Sequence, residues 1–276
     1  MRTWGALVFA GLALLACRVQ AAEGPATSSS SGAPWVDDQA LINQTKADVQ
    51  TGGVLAVEGH REQLERALSG AKHSIDLAAA ARPTSFVLTD GPADTLAALM
   101  LATTNKAPGA TSTAAVENPY PAISFYLGTY YDEVGKPQDA LRVLNAGLTL
   151  STLPDMDTGE TRAIILLERG SALMALRQWQ DVLQNEDRGL KMSDLDNRVK
   201  AHFYRGRGYA LTELNQLDDA EDAYKQSLNL EPGNKTAEGE LKYIAGLKLG
   251  APRAAPGVLN KVQKPAPAES ATPSDP

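Results

Sequence analysis

Apolar residues recur at helical spacing through the second half of the chain. Between Ala201 and Asn234, Tyr204, Leu211, Leu214, Tyr224 and Leu228 form one apolar seam, which predicts two amphipathic helices. Asn215-Gln216 interrupts the seam and reads as the turn between them. Gly208 and Ala220 are small, so the two helices can approach closely where they face each other. Pro232-Gly233 stops the second helix, because proline cannot continue one and glycine tolerates the turn. Lys235 to Leu249 then places Leu241, Ile244 and Leu247–Leu249 on one face, with Asn234 able to cap the start.

The first half is patterned differently. Asp37 or Asp38 can cap a helix running to Gln50, with Leu41, Ile42 and Val49 apolar and Gly52-Gly53 breaking it. Gly59 to Ala80 predicts a second helix with Leu64, Ala67, Leu68, Ala71, Ile75 and Ala78 on one face, ended by Arg82-Pro83. Ser85 to Thr89 is short and partly β-branched; Asp90-Gly91-Pro92 is a turn; Pro92 to Ala102 returns to helix. Two arrangements of residues 35–104 fit. One is a helical-hairpin layer; the other is a small α/β cap with Val54–Val57 and Phe86–Leu88 as strands. Short apolar runs do not decide between them. Asn105 to Asn118 has the composition of a linker, and all eight tyrosines lie from Tyr120 to Tyr243, so a boundary is expected near 118.

Residues 201–234 span 34 positions and resemble a tetratricopeptide repeat (TPR), a helix–turn–helix unit of that period. Tyr204, Gly208, Leu211, Ala220, Tyr224 and Pro232 stand at the motif's places. Arg207 and Ser227 depart from it, where a large apolar residue and alanine are usual. Residues 163–196 fit less fully, with Leu166, Gly170, Leu173 and Val182 in place, but Glu186 where the later aromatic belongs and Gly189 in place of alanine. Residues 121–154 fit with Leu127, Gly128, Tyr131, Ala140, Leu144 and Gly147, and Ser124 where an aromatic is usual. The resemblance implies an all-α, right-handed superhelix of antiparallel helix pairs over 119–250. A single repeat cannot bury its own apolar face, so the three stack, with 235–249 as closing helix.

The ends of the chain read as address and tail. Residues 1–22 form a targeting segment: Arg2, then an uninterrupted small-and-apolar run from Ala6 to Ala16, shorter than a bilayer-spanning helix. Leu14-Leu15-Ala16-Cys17 resembles the lipobox of bacterial lipoproteins, which implies lipidation at Cys17; Val19-Gln20-Ala21 also satisfies the rule for ordinary signal cleavage. Cys17 is the single cysteine, so the folded part has no disulfide. Residues 23–34 read as a polar tether and 251–276 as a disordered Ala/Pro-rich tail. The expected location is exported and periplasm-facing, as a membrane-anchored lipoprotein or as a soluble periplasmic or secreted protein.

Charge and motifs narrow the function class. Net charge is −7, with 33 acidic against 26 basic residues and no basic stripe, which argues against nucleic acid as partner. The acidic cluster Asp218-Asp219…Glu221-Asp222 reads as the solvated start of a helix. His60 and His73 have no metal-ligand spacing, and no nucleophile elbow, phosphate loop or nucleotide fingerprint is present. No catalytic residue, metal, cofactor or small-molecule substrate is expected. In the resembled family a partner segment lies in a groove lined by the first helix of each pair. Carried over, the groove is Phe125, Thr129, Asp132 and Glu133; Ile164, Leu167, Ser171 and Met174; and His202, Arg205, Tyr209 and Thr212. The implied function is a non-catalytic protein–protein interaction scaffold or adaptor of the bacterial cell envelope. The alternatives are a structural or self-assembling envelope protein, and an enzyme with its site in 35–104.

Overall fold

The structure, a computed structural model, describes residues 33–253 apart from 91, 105–107, 151–158 and 194. The expected targeting segment with Cys17, nearly all of the expected tether and nearly all of the expected tail lie outside the described residues. In chain order the elements are α1 (Pro34–Gly52), a 3₁₀ helix (Val54–His60), α2 (Arg61–Ala80), β1 (Thr84–Thr89), α3 (Pro92–Thr104), β2 (Ser112–Glu117), α4 (Pro119–Glu133), α5 (Pro137–Thr149), α6 (Glu160–Ala175), α7 (Trp179–Leu190), α8 (Asn197–Glu213), α9 (Leu217–Leu230) and α10 (Lys235–Lys248). From α4 onward each helix packs on the next, and α4, α6 and α8 also pack on one another in succession. This is the all-α, TPR-like stack: three pairs, α4/α5, α6/α7 and α8/α9, closed by α10.

The three pairs turn in the same way. The residue after each first helix that must reverse the chain is left-handed: Gly135 at φ 73°, Arg177 at φ 57° and Asn215 at φ 62°. Each turn is closed by the same long backbone bond, Lys136 N to Tyr131 O at 2.7 Å, Gln178 N to Leu173 O at 3.0 Å and Gln216 N to Leu211 O at 2.9 Å. These bonds satisfy carbonyls that the helix end leaves open. Inside each pair a glycine lets the partner helix in: Gly128 faces Leu144, Gly170 faces Glu186 and Gly208 faces Tyr224. Asn118, Asp196 and Asn234 cap α4, α8 and α10, the last as its sequence position suggests.

Residues 35–104 combine parts of both expected arrangements. The α1/α2 hairpin packs on α4 as a further helical layer. Phe86–Leu88 lies within a strand, but Val54–Val57 does not: it begins a 3₁₀ helix whose Val54 and Val57, three apart, are both buried. The linker expected at 105–118 is corrected as well. Ser112–Glu117 is β2, paired in parallel with β1 from Thr84↔Ser112 to Thr89↔Glu117, with α3 as the crossover. Its small side chains hide it from periodicity, and its partner lies far away in sequence. Hydroxyls join the pair: Thr84 Oγ1 and Ser112 Oγ are 2.7 Å apart, and Ser85 Oγ and Thr113 Oγ1 are 3.1 Å apart.

One apolar core runs from Trp35 in α1 to Phe203 in α8, and a second, smaller one joins Leu211, Tyr224 and Ile244 across α8, α9 and α10. Burying each Leu, Ile or Phe of the larger core contributes about 1.5–3 kcal/mol. Polar bonds fix the N-terminal layer to the first pair. Tyr120 Oη donates to Asp38 Oδ2 at 2.8 Å, Tyr131 Oη to Glu65 Oε1 at 2.6 Å, and Tyr130 Oη to Glu58. At the other end, Lys248 of α10 reaches Asp218 at 2.6 Å and Glu221 at 2.5 Å, so part of the acidic cluster holds the closing helix.

Candidate partner-binding face

The first helices α4, α6 and α8 carry all twelve residues of the expected groove. The structure divides them. Glu133 is exposed, and Asp132, Ser171, His202 and Tyr209 are half-buried. Phe125, Thr129, Ile164, Leu167, Met174, Arg205 and Thr212 are buried, which corrects their assignment as groove lining. The physical reason is direct packing between successive first helices, which turns much of the expected hollow into a seam. Phe125, Ile164 and Leu167 belong to the large core, and Met174 packs with Leu173, Val182 and Ala210. Thr129 and Thr212 turn their hydroxyls back on their own helices, donating to Phe125 O at 3.0 Å and Gly208 O at 2.8 Å.

Arg205 has a structural task. Its Nη1 donates to Glu231 Oε2 at 2.6 Å and to Ser227 Oγ at 3.2 Å, tying α8 to the end of α9. Ser227, where alanine is usual, supplies an acceptor for this guanidinium. Arg207, the other departure from the motif, is half-buried and donates to Asp187 Oδ1 of α7 at 3.1 Å.

The face also holds residues that motif positions did not single out. Glu168, on α6, is buried. The signal for it was a lone acid closing the apolar run from Ala163 to Leu167. Trp179, at the start of α7, sets its ring edge-on to Tyr209 at 5.8 Å between centroids. Burial pushes the Asp132 carboxyl up to about 7. Burial pushes Glu168 up to about 8, the charge of Asp132 adds to this, and bonding from Thr129 acts weakly the other way. Burial, then the charge of Arg205, pushes His202 down to about 3, so its imidazole is neutral.

Behind the face, Glu186 occupies the site of an aromatic ring. It is buried between Gly170 and Gly206: a Cβ on Gly170 would lie 2.4 Å from its Oε1, and one on Gly206 2.8 Å from its Cδ. Burial holds this carboxyl well above the ordinary range, against a weaker opposing bond from Asn185. Asn185 in turn donates to Leu166 O at 2.8 Å and accepts from Arg169 Nη1 at 2.9 Å.

Within 35–104, Asp37, Asp38, Gln63, Arg66, His73 and Ser74 line a surface cleft of about 440 Å³ between α1 and α2. His60 lies apart from His73, with its Nε2 2.7 Å from Asp48 Oδ2. Among the described residues no three His, Cys, Asp or Glu side chains are grouped so as to hold a metal ion.

No family model and no curated protein matches the chain. Solved structures do. The first TPR domain of the human RPAP3 protein is 22% identical, covering 47% of this chain and 93% of that domain, at a TM-score of 0.41. The first TPR of Spaghetti (RPAP3), bound to an HSP90 peptide, is 22% identical over 49% of this chain and 97% of its own, also at 0.41. The second TPR domain of human RPAP3, in complex with an HSP70 peptide, is 21% identical over 45% of this chain and 98% of its own, at 0.38.

Proposed function

We propose that this chain is a non-catalytic protein-interaction adaptor that holds a segment of a partner against α4, α6 and α8. The observation that carries the reading is the strip of half-buried and exposed side chains left on these three helices: Asp132 and Glu133, Ser171, then His202 and Tyr209. They are spread over the three first helices of one stack, and Tyr209 is backed by Trp179 as an aromatic anchor. Such a strip suits an extended or helical segment with apolar and polar side chains.

The setting belongs to the same reading. The apolar run Ala6–Ala16 and the sequence Leu14-Leu15-Ala16-Cys17 support export into a bacterial cell envelope and a lipid on Cys17. Affinity capture with the full chain, followed by the same capture with Tyr209→Ala, tests the adaptor role. The parent is expected to retain a partner that the variant retains at least about tenfold less, a loss in the range of one aromatic anchor. Equal retention by both, with unchanged melting, would remove Tyr209 and this face from the function.

A further inference from the structure

The part of the face shared by α4 and α6 holds two carboxyl groups with unpartnered oxygens. Both oxygens of Asp132 and Oε2 of Glu168 are buried and have no hydrogen-bond partner among the described residues. Glu168 is only 4% exposed. Thr129 and Asp132 are three apart on α4, and Glu168 and Ser171 are three apart on α6, so each pair shares one side of its helix. The two carboxyls are close enough for the charge of Asp132 to act on Glu168.

A buried carboxyl needs a donor or a counter-charge, because desolvation is otherwise uncompensated. Arg205 of α8 is engaged with Glu231, and Arg142 of α5 with Glu65. A metal ion is the poorer fit, since no set of three ligating side chains gathers here among the described residues. Two carboxyls flanked by hydroxyls match the several N–H groups of an ammonium or guanidinium.

We propose that Asp132 and Glu168 receive one lysine or arginine side chain of the partner segment. The inference rests on the reading of the inner helices as a partner surface and adds the partner's charge to it. The entering cation supplies donors to the three carboxyl oxygens that have no partner and favours the charged form of both groups. Asp132, half-buried beside exposed Glu133, is the edge at which it enters.

The test is fluorescence anisotropy of labelled hexalysine, hexaserine and hexaglutamate with the full chain. Hexalysine is expected to bind. Asp132→Asn with Glu168→Gln is expected to weaken it at least about tenfold, while Asp222→Asn, an exposed acid of α9, leaves it within about twofold. Circular dichroism checks folding, and Asp132→Asn alone, with a loss of about threefold, serves where the double variant unfolds. An equal loss with Asp222→Asn overturns the proposal in favour of general attraction to an acidic chain. Binding of hexaserine or hexaglutamate that Tyr209→Ala abolishes overturns the charge assignment and leaves the partner face standing. Hexalysine binding that appears only after Lys261→Ala and Lys264→Ala makes the chain's own tail the occupant and overturns it too. No binding by any peptide, together with no captured partner, overturns both readings.

Discussion

Gly208 and Tyr224 face each other so closely that a Cβ on the glycine would lie 2.8 Å from Cδ2 and Cε2 of the ring. The contact is the point at which α8 and α9 meet, and the same pairing recurs as Gly128 with Leu144 and Gly170 with Glu186. Gly208→Ala must push the Tyr224 ring or part the helices. The expected cost is about 1–3 kcal/mol, read as a lower urea midpoint. Gly239 of α10, with nothing within 4 Å of its Cβ position, is the opposite case. Gly239→Ala is expected to stabilise by about 0.5–1 kcal/mol through helix propensity alone. Equal effects of the two substitutions would show that the Tyr224 contact does not set the spacing of the pair.

Arg177 holds φ at 57° in a turn whose counterparts are Gly135 and Asn215. A long side chain in the left-handed region costs about 1 kcal/mol that glycine avoids. Arg177→Gly is therefore expected to raise stability by up to about 1 kcal/mol, partly offset by a more flexible unfolded chain. Thermal melting of the variant checks this, and a lower melting temperature counts against the strained turn.

Buried acids give stability a pH dependence whose sign is fixed by their shifts. Asp132 is pushed up to about 7 and Glu168 to about 8, and Glu186 is raised as well. Unfolded, such carboxyls ionise near pH 4, at about their ordinary values. Between these limits the unfolded chain binds fewer protons than the folded one. Stability therefore falls as pH rises from about 4 to 8, by up to about 1.4 kcal/mol per pH unit for each group still protonated in the fold. His202, pushed down to about 3, acts in reverse below its ordinary 6.5, where stability rises with pH. Above 6.5 the histidine no longer contributes and the carboxyls act alone. Urea unfolding between about pH 6.5 and 8.5 is expected to show a falling midpoint, flattened by Asp132→Asn with Glu168→Gln. A rising midpoint in the parent would mean that the carboxyls are ionised in the fold.

Cys17→Ser tests the address. Radiolabelled palmitate is expected to mark the parent and not the variant, and the variant is expected to leave the membrane fraction. Retention of the variant on membranes without label points instead to an uncleaved leader as the anchor.

The helix pairs were legible because their residues do local work. Gly208, Ala220 and Tyr224 sit on facing helices, Asn215 reverses the chain, and each has a recognisable residue type. The face was less legible. Motif places treat Phe125 and Ile164 as lining, but burial depends on what packs over them, and here that is the neighbouring helix and the N-terminal layer. Glu186 shows the same limit from the other side. An acid at an aromatic place predicts a loose helix, yet Gly170 and Gly206, on two different helices, leave it a fitted space. β2 was hidden because Ser112–Glu117 is mostly small residues, and its register with β1 is a long-range fact.

Three apolar clusters give the molecule an uneven grain. The largest ties the N-terminal layer, the first two pairs and Phe203 into one block, while Leu211, Tyr224 and Ile244 form a separate block at the C-terminal end. A small third cluster, Leu173, Met174, Val182 and Ala210, lies at the junction between these blocks with Tyr209 and Trp179 packed against it, and Arg205 binds α8 to α9 beside it. A segment seated across that junction would act as a splint: amide exchange in α9 and α10 should slow on binding, while the first block, already closed on itself, keeps its own rate.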